Sequence, residues 1–175
     1  PLQGRLQAHL PRVGVWNLFA PPGWRLRGTL DADVALGGTV QAPLLNGTLN
    51  ADDLGVRSVV DGFAFSNGRL RTRLTGQRLE IDEFSLQGSP AQAGLFDGGR
   101  IAGGKATLTG SVAWGAPGQP LLQSLQTQIN AKLERLQLSS LPERLLVLSG
   151  DIQASLANLQ LVVRGGLVVN RALID

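Results

Sequence analysis

The chain contains no cysteine, methionine or tyrosine, and its only histidine is His9. Without cysteine it has no disulfide bonds and no thiolate metal sites, which fits an oxidising or extracytoplasmic compartment. His9 has no placed acid or nucleophile, so it supports no catalytic triad, and we interpret it as a surface residue. No apolar run approaches the roughly 20 residues of a membrane-spanning helix, and no signal peptide is recognisable. Any membrane anchor is therefore expected outside this chain.

Lysine is also rare, since Lys105 and Lys132 are the only two, and the net charge is +3. The densest basic cluster is "RLRTRL", which contains Arg69, Arg71 and Arg73. Nucleic-acid binding surfaces interleave such cations with aromatic residues that stack on bases, and no aromatic residue interleaves here. We therefore interpret the cluster as the solvated face of a strand and expect no nucleic-acid partner.

The chain does contain long stretches of alternating apolar and polar residues. The phrase "GTLDADVALGG" begins at Gly28, and "GTLNADDLGVR" begins at Gly47 and repeats its pattern. From Trp24 to Leu36 the alternation continues beyond the usual strand of about 5–6 residues. With 43% apolar and 17% charged residues, the chain is long enough for one domain with a sizeable core. We predict an all-β fold with long amphipathic strands.

A second phrase interrupts the alternation with one extra residue. It occurs as "ADDLGV" (51–56), "IDEFSL" (81–86), "LERLQL" (133–138) and "LANLQL" (156–161). An extra residue turns every later side chain to the opposite face unless a β-bulge absorbs it. We predict bulges whose extra residues are Asp53, Glu83, Arg135 and Asn158.

Glycines recur at apolar positions of the alternation. They are Gly4, Gly28, Gly47, Gly76, Gly88, Gly110, Gly150 and Gly165. A glycine inside a strand marks a bend or a close approach by another group. Two interpretations stay open: the glycines permit curvature, or they form a trough of low side chains along a concave face.

Turn signals divide the strands. Asp61-Gly62 and Asn67-Gly68 each predict a two-residue hairpin turn. Residues 88–99 and 115–120 are predicted loops, and residues 11–23 are predicted to hold a short loop or helical turn. Residues 121–138 fit both a helical leucine spacing and a strand alternation that ends in the bulge phrase. We favour the strand, because the phrase matches three others.

Several motifs in the sequence resemble functional sites, but we interpret none of them as one. "GRIAGGKA" (99–106) resembles a phosphate-binding loop, but Ala106 stands where a magnesium-binding hydroxyl is needed, and a strand pattern follows in place of a helix. The acidic pairs Asp31/Asp33 and Glu80/Asp82 lack the further oxygens and turn glycine of a calcium site. Asn46 begins a glycosylation triplet within a strand phrase, which we consider accidental. We expect a protein that is not an enzyme and has no metal and no cofactor.

An amphipathic sheet of eight or more strands leaves one apolar face that must be covered. We expect the sheet to fold over on itself into a curved groove with an apolar concave interior, or to receive an apolar ligand such as an acyl chain. The residues predicted to line this face are Leu26, Leu30, Val34, Leu49, Leu54, Val56, Leu70, Leu74, Leu79, Ile81, Phe84, Leu86, Leu108, Val112, Ile129, Leu133, Leu148, Ile152 and Leu161. The alternative is a closed β-sandwich or adhesin-like module with a dry core.

These strand phrases also carry a resemblance to a known family. The run from "GWRLRGTLDADVALGGT" through "RTRLTGQRLEIDEFSLQG", followed by "GGKATLTGSVAWG" and "SGDIQASLANLQLVVRGGLVVNRALID", resembles the C-terminal region of the TamB family. TamB proteins are the inner-membrane-anchored subunits of the bacterial translocation and assembly module, and belong with the AsmA-like, bridge-like lipid-transfer proteins. The resemblance covers nearly the whole chain from about residue 16.

The resemblance implies a fold, a place and a role. It implies a long β-groove with an apolar interior (a β-taco), with residues 1–175 forming a single groove segment of a longer periplasmic protein anchored in the inner membrane. It implies partnership with the outer-membrane barrel TamA through parts outside this segment. It also implies outer-membrane biogenesis, namely autotransporter assembly, protein secretion and phospholipid transport between membranes. The expected cargo is phospholipid or unfolded outer-membrane protein.

Overall fold

The computed structural model describes residues 1–12, 21–58, 60–88, 91–92, 100–101, 103–115, 120, 122–141 and 144–174. Its strands are β1 (Gly4–Leu10), β2 (Trp24–Gly38), β3 (Pro43–Ser58), β4 (Phe63–Gly76), β5 (Arg78–Gly88), β6 (Ala91–Gln92), β7 (Arg100–Ile101), β8 (Lys105–Ala113), β9 (Gln126–Leu141), β10 (Arg144–Ala157) and β11 (Gln160–Ile174). None of the residues so described is helical, and hence no helix among them is long and apolar enough to cross a membrane.

Nine of the strands form one antiparallel sheet. Their order is β1-β2-β3-β4-β5-β8-β9-β10-β11, so every strand pairs with its neighbour in the sequence except where the short β6–β7 ribbon is inserted. The sheet is not closed, because β1 and β11 each pair on one side only. The all-β fold and its long strands are therefore confirmed: β3 and β9 each run for 16 residues, as the sustained alternation predicts.

Three of the four predicted bulges are present. The register of β3 shifts between Ala51 and Leu54, and Asp53 has a left-handed backbone with a φ of 53°. The register of β9 shifts at Arg135, whose φ is 49°. In β5 the shift lies between Ile81 and Phe84, at Asp82 and Glu83, without a left-handed residue there. Each bulge restores the parity that keeps the later apolar residues on one face.

The prediction for Asn158 is wrong. Asn158 and Leu159 connect β10 to β11, and both have left-handed backbones, with φ values of 51° and 61°. Leu156 pairs directly with Leu161, and Ala157 pairs with Gln160. The phrase is therefore a two-residue hairpin, since left-handed backbone at both central positions is what such a turn requires.

The prediction for Asn67-Gly68 is also wrong. These residues lie inside β4, where the register shifts against both neighbours, and Asn67 has a φ of 52°. They form a bulge, because an Asn-Gly pair suits a left-handed bulge as well as a hairpin turn. The β3–β4 turn is found at Asp61-Gly62 as predicted, but Ser58 pairs with Phe63, so its loop has four residues and not two.

The ambiguous segment 121–138 is a strand over the part that belongs to β9. The predicted helical turn near residues 11–23 falls mostly on 13–20, which lie outside the described residues. Of the two predicted loops, 89–90, 93–99 and 116–119 also lie outside them, and Ala91–Gln92 of the first loop form strand β6.

The glycines on the apolar side have a backbone role. Gly47 has a φ of 144°, and a Cβ added there would overlap the carbonyl oxygen of Asp33 on β2. Gly150 has a φ of 146°, and a Cβ there would overlap the carbonyl oxygen of Gly166 on β11. Other residues rarely adopt such backbones. Between the two interpretations, close approach and bending of the strands account for these positions better than a trough of low side chains does.

Candidate functional site

One side of the sheet carries rows of apolar residues that run across all nine strands. We call this side the apolar face. Residues directly opposite each other in an antiparallel pair point to the same side, so the registers define each row. The central row is Leu10, Leu30, Ala51, Leu70, Phe84, Leu108, Ala131, Ile152 and Gly165. At about 4.8 Å between neighbouring strands, the row is roughly 38 Å long when it is measured along the sheet.

Two further rows run parallel to the central one, and both lie on the same side of it. One is Leu6, Val34, Gly47, Leu74, Leu79, Val112, Thr127, Leu156 and Leu161. The other lies between that row and the central row, and consists of Ala8, Ala32, Leu49, Thr72, Ile81, Gly110, Ile129, Ala154 and Val163. Most of the predicted lining residues belong to these rows or extend them along the strands.

The predicted lining residues are half-buried, with two exceptions. Leu74 is buried and Leu161 is exposed. The buried apolar residues of the described part of the chain are few: Ala32, Ala51, Leu74, Leu136 and Val147. In a dry core the large side chains would be the most buried ones. The apolar face is therefore a surface that remains partly open to solvent.

Two threonines interrupt the apolar rows. Thr72 is only 4% exposed, but its hydroxyl donates to the carbonyl oxygen of Leu49 at 2.7 Å and lies 3.2 Å from the Leu49 amide, from which it accepts. Because the backbone satisfies this hydroxyl, Thr72 offers little hydrogen-bonding capacity to a ligand. Thr127 lies on β9, in the row of the apolar face that begins at Leu6. The apolar face suits an apolar ligand much better than a polar one.

The opposite side, which we call the polar face, carries cross-strand ion pairs. Arg5 of β1 donates two hydrogen bonds to Asp33 of β2, at 3.0 and 2.9 Å. These bonds lower the pKa of the Asp33 carboxyl below its ordinary value. On these exposed strands each pair contributes little stability but disfavours turning the residues inward.

The same arrangement recurs between the next strands. Arg71 of β4 donates to both carboxyl oxygens of Asp52 on β3, at 2.8 and 3.0 Å. Arg73 donates to Asp82 of β5 at 2.8 and 2.6 Å. Hydrogen bonding by the guanidinium lowers the pKa of each carboxyl. The cluster "RLRTRL" is therefore a strand face whose arginines are matched by carboxylates.

The two ends of the sheet differ, and sequence reasoning missed both arrangements. At the end with the β3–β4 turn, which we call the Asp61 end, Trp24 packs edge-on against Phe63 with ring centroids 4.8 Å apart. The Trp24 indole and the Ser58 hydroxyl both donate to one Asp61 carboxyl oxygen, at 3.0 and 2.6 Å. The aromatic pair therefore closes one end of the apolar face.

At the other end, which we call the Gln77 end, Trp114 follows directly after β8. Its indole donates to the carbonyl oxygen of Pro43 on β3 at 2.9 Å, and its amide donates to the carbonyl oxygen of Gln77 at 3.0 Å. Strands β4 and β5 lie between β3 and β8 in the sheet. Trp114 therefore bridges strands that are not neighbours, and no local sequence signal marks a contact between residues 71 positions apart.

The last strand leaves a long edge. In β11, apolar side chains are exposed on both faces: Leu161 67%, Val162 44%, Val163 59%, Leu167 51%, Val168 60% and Val169 57%. Because β11 pairs only with β10, one side of its backbone is free of strand partners among the described residues. Such an edge is a template for pairing with another strand.

Metal-binding side chains do not cluster in the described part of the chain. In the ranges that the structure describes, no group of three or more His, Asp or Glu side chains could hold a metal ion. His9 lies on the polar face and pairs with Asp31.

Comparisons with protein-family models, with curated proteins and with solved structures found no match to this chain. The resemblance to the TamB family rests on the sequence phrases alone.

Proposed function

We propose that the apolar face binds the acyl chains of phospholipid, and that the protein is a non-enzymatic conduit or chaperone for apolar cargo. The observation that carries this proposal is the set of apolar rows across an unclosed sheet, with side chains that remain half-buried. A β-sandwich would need a second large sheet to cover this face. Within the described residues the only other sheet is the β6–β7 ribbon of two residues per strand.

Bending of the sheet into a groove would shield such cargo from water. Strands β4 and β9 approach within 8 Å between Cα atoms, although β5 and β8 lie between them. In a flat sheet they would be about 14 Å apart. The glycine backbones at Gly47 and Gly150 allow close strand approach, and bulges at similar depths in β3, β4 and β5 add bending. These features support a folded-over groove.

Acyl chains would gain enough from such a groove to bind tightly. Burial of one CH₂ group is worth about 0.8 kcal/mol, so a chain of roughly 16 carbons gains on the order of 10 kcal/mol before the entropy of binding is subtracted. A headgroup would remain outside, because the polar groups on the apolar face are few and Thr72 is satisfied by backbone.

A charge on the apolar face tests this proposal. Leu108 lies in the central row, and its neighbour Thr109 is exposed on the polar face. We expect native mass spectrometry to show phospholipid bound to the wild-type chain and to Thr109→Asp, and little or none bound to Leu108→Asp. Circular dichroism checks that both variants are folded. Equal lipid occupancy of the two folded variants would show that the apolar face is not the binding site.

A second cargo, an extended protein strand, is favoured by the edge of β11. Its free backbone and exposed apolar residues suit an amphipathic strand that adds to the sheet. A fluorescent peptide with the sequence of β2 serves as a probe. We expect Val168→Lys on β11 to weaken its binding, since edge lysines block strand addition, and Ser155→Lys on the polar face of β10 to leave it unchanged. Peptide binding that both variants retain would exclude the edge.

The setting of this function is proposed from the TamB resemblance. A TamB-like protein would act in the periplasm as part of a chain anchored in the inner membrane, would cooperate with the barrel TamA, and would serve outer-membrane protein assembly and phospholipid transport. An apolar face that accepts acyl chains or strands supports that setting.

A further inference from the structure

A cluster of arginines that have no carboxylate partner among the described residues lies at the Asp61 end of the polar face. We call Arg25, Arg27 and Arg57 the arginine cluster. Arg25 of β2 and Arg57 of β3 are directly opposite each other, an arrangement that is destabilising for like charges. On its other side, Arg57 faces the uncharged Ala64 of β4.

The third member lies between these two strands. A Cβ added at Gly55 of β3 would meet the Arg27 side chain, whose Cδ is 3.1 Å away, so Arg27 extends across β3 on the polar face. Arg12 and Arg27 also line one open cleft of about 350 Å³, together with Asp53. Four arginines therefore lie at this corner of the sheet.

Two carboxylates near this corner, Asp53 and Asp61, offset only part of the charge of the four arginines. Asp61 receives its hydrogen bonds from Trp24 and Ser58, and Asp53 forms no ion pair with a described residue. Elsewhere on the polar face, most arginines have a carboxylate within ion-pair distance: Arg5, Arg69, Arg71, Arg73 and Arg78. In the described part of the chain, no ion pair involves the arginine cluster. The positive charge there is available to an external anion.

An apolar tip lies beside this charge. Val60, in the β3–β4 turn, is 75% exposed, and its side chain is 3.0 Å from a Cβ added at Gly23. The aromatic residues of this end, Trp24 and Phe63, pack on each other on the opposite face. Basic residues flanking a protruding apolar residue are typical of a surface that lies against anionic lipid headgroups. Nucleic acid is the poorer fit, because no aromatic ring lies among the arginines to stack a base.

We propose that the Asp61 end docks on the surface of a membrane that contains anionic phospholipid, with Val60 among the headgroups and the arginine cluster against the phosphates. Docking in this way places one end of the apolar face at the bilayer. The proposal does not depend on what the apolar face binds, because the arginines and Val60 lie outside the apolar rows.

The test measures sedimentation of the full chain with vesicles. We expect binding to vesicles of phosphatidylglycerol and phosphatidylcholine in equal parts, no binding to phosphatidylcholine alone, and weakening by salt. Each basic residue near such a surface contributes roughly fivefold in affinity, so Arg25→Gln with Arg57→Gln should weaken binding about thirtyfold. Arg78→Gln with Arg164→Gln, on β5 and β11, removes the same charge away from the Asp61 end and should leave binding within about twofold.

Two further comparisons separate docking from folding. Removal of the facing charges at Arg25 and Arg57 should keep or raise the melting temperature, so lost binding cannot be attributed to unfolding. Val60→Asp should weaken vesicle binding, whereas Val40→Asp should not, since Val40 is equally exposed at 77% but lies in the turn at the Gln77 end. The proposal would be overturned if the two double variants lost vesicle binding equally. It would also be overturned if the wild-type chain bound single-stranded RNA at concentrations that leave anionic vesicles unbound.

Discussion

The bulge at Asp53 makes a quantitative prediction about register. Deleting Asp53 would restore continuous alternation in β3 but would turn Leu54 and Val56 from the apolar face to the polar face, and would turn Arg57 inward. Both apolar residues are half-buried. Complete burial of such a side chain is worth about 1.5–3 kcal/mol, so half-burial of two also contributes roughly 1.5–3 kcal/mol. Leu54 also packs on Gly68 of β4, where an added Cβ would lie 2.7 Å from the Leu54 Cβ.

Substitution at the same position preserves the residue count and serves as the control. Asp53 is exposed and has a left-handed backbone, so Asp53→Gly should change the free energy of unfolding by less than about 1 kcal/mol, because glycine favours this conformation. The deletion should lower it by about 1.5–3 kcal/mol or more, a large share of the 5–15 kcal/mol of an ordinary domain. Urea denaturation followed by circular dichroism measures both. A deletion variant as stable as Asp53→Gly would refute the register argument.

Two further predictions concern the backbone and the ion pairs. Gly47→Ala should lower the melting temperature strongly, because the new Cβ would overlap the Asp33 carbonyl. Gly76→Ala should cost only about 1 kcal/mol, since Gly76 has a φ of 63° but no atom within 4 Å of its added Cβ. Similar melting temperatures for the two variants would contradict the close-approach role of Gly47. Arg73 lowers the pKa of Asp82, so the unfolded chain binds that proton at higher pH than the folded chain does. The stabilisation is thus complete above the ordinary aspartate value of 3.8 and is lost as the pH falls through the folded pKa. Acidification from neutral pH to about pH 3 should therefore lower the melting temperature of the wild type more than that of Asp82→Asn, and an equal drop would contradict it.

Periodicity predicts most of the sheet, because alternation reflects which side chains share a face. The central row from Leu30 to Ile152 follows from parity, provided that the bulges are placed correctly. Asp53 and Arg135 were located from the sequence, since each precedes a change of parity. Asn67 carries the same signal, because Phe65 and Leu70 are on one face but five positions apart, which an Asn-Gly hairpin turn does not explain.

Other features depend on contacts that no local pattern contains. An Asn-Gly pair supplies a left-handed backbone, and only strand pairing decides whether it forms a turn or a bulge. The bridge from Trp114 to Pro43 joins strands three places apart in the sheet order. Likewise, the pairing of Arg73 with Asp82 appears only after the registers of β4 and β5 are known. The same holds for the absence of an ion pair between Arg57 and any described residue.

Accessibility of a cysteine in the central row tests the account's main claim most directly. The natural chain has no cysteine, so Leu108→Cys and Thr109→Cys each introduce one thiol, on the apolar face and the polar face respectively. We expect a maleimide to label both variants in the absence of lipid, and phospholipid to protect Leu108→Cys while Thr109→Cys remains fully labelled. A Leu108→Cys thiol that is unreactive without lipid would indicate a dry core, and one that lipid leaves unprotected would show that the apolar face does not bind phospholipid.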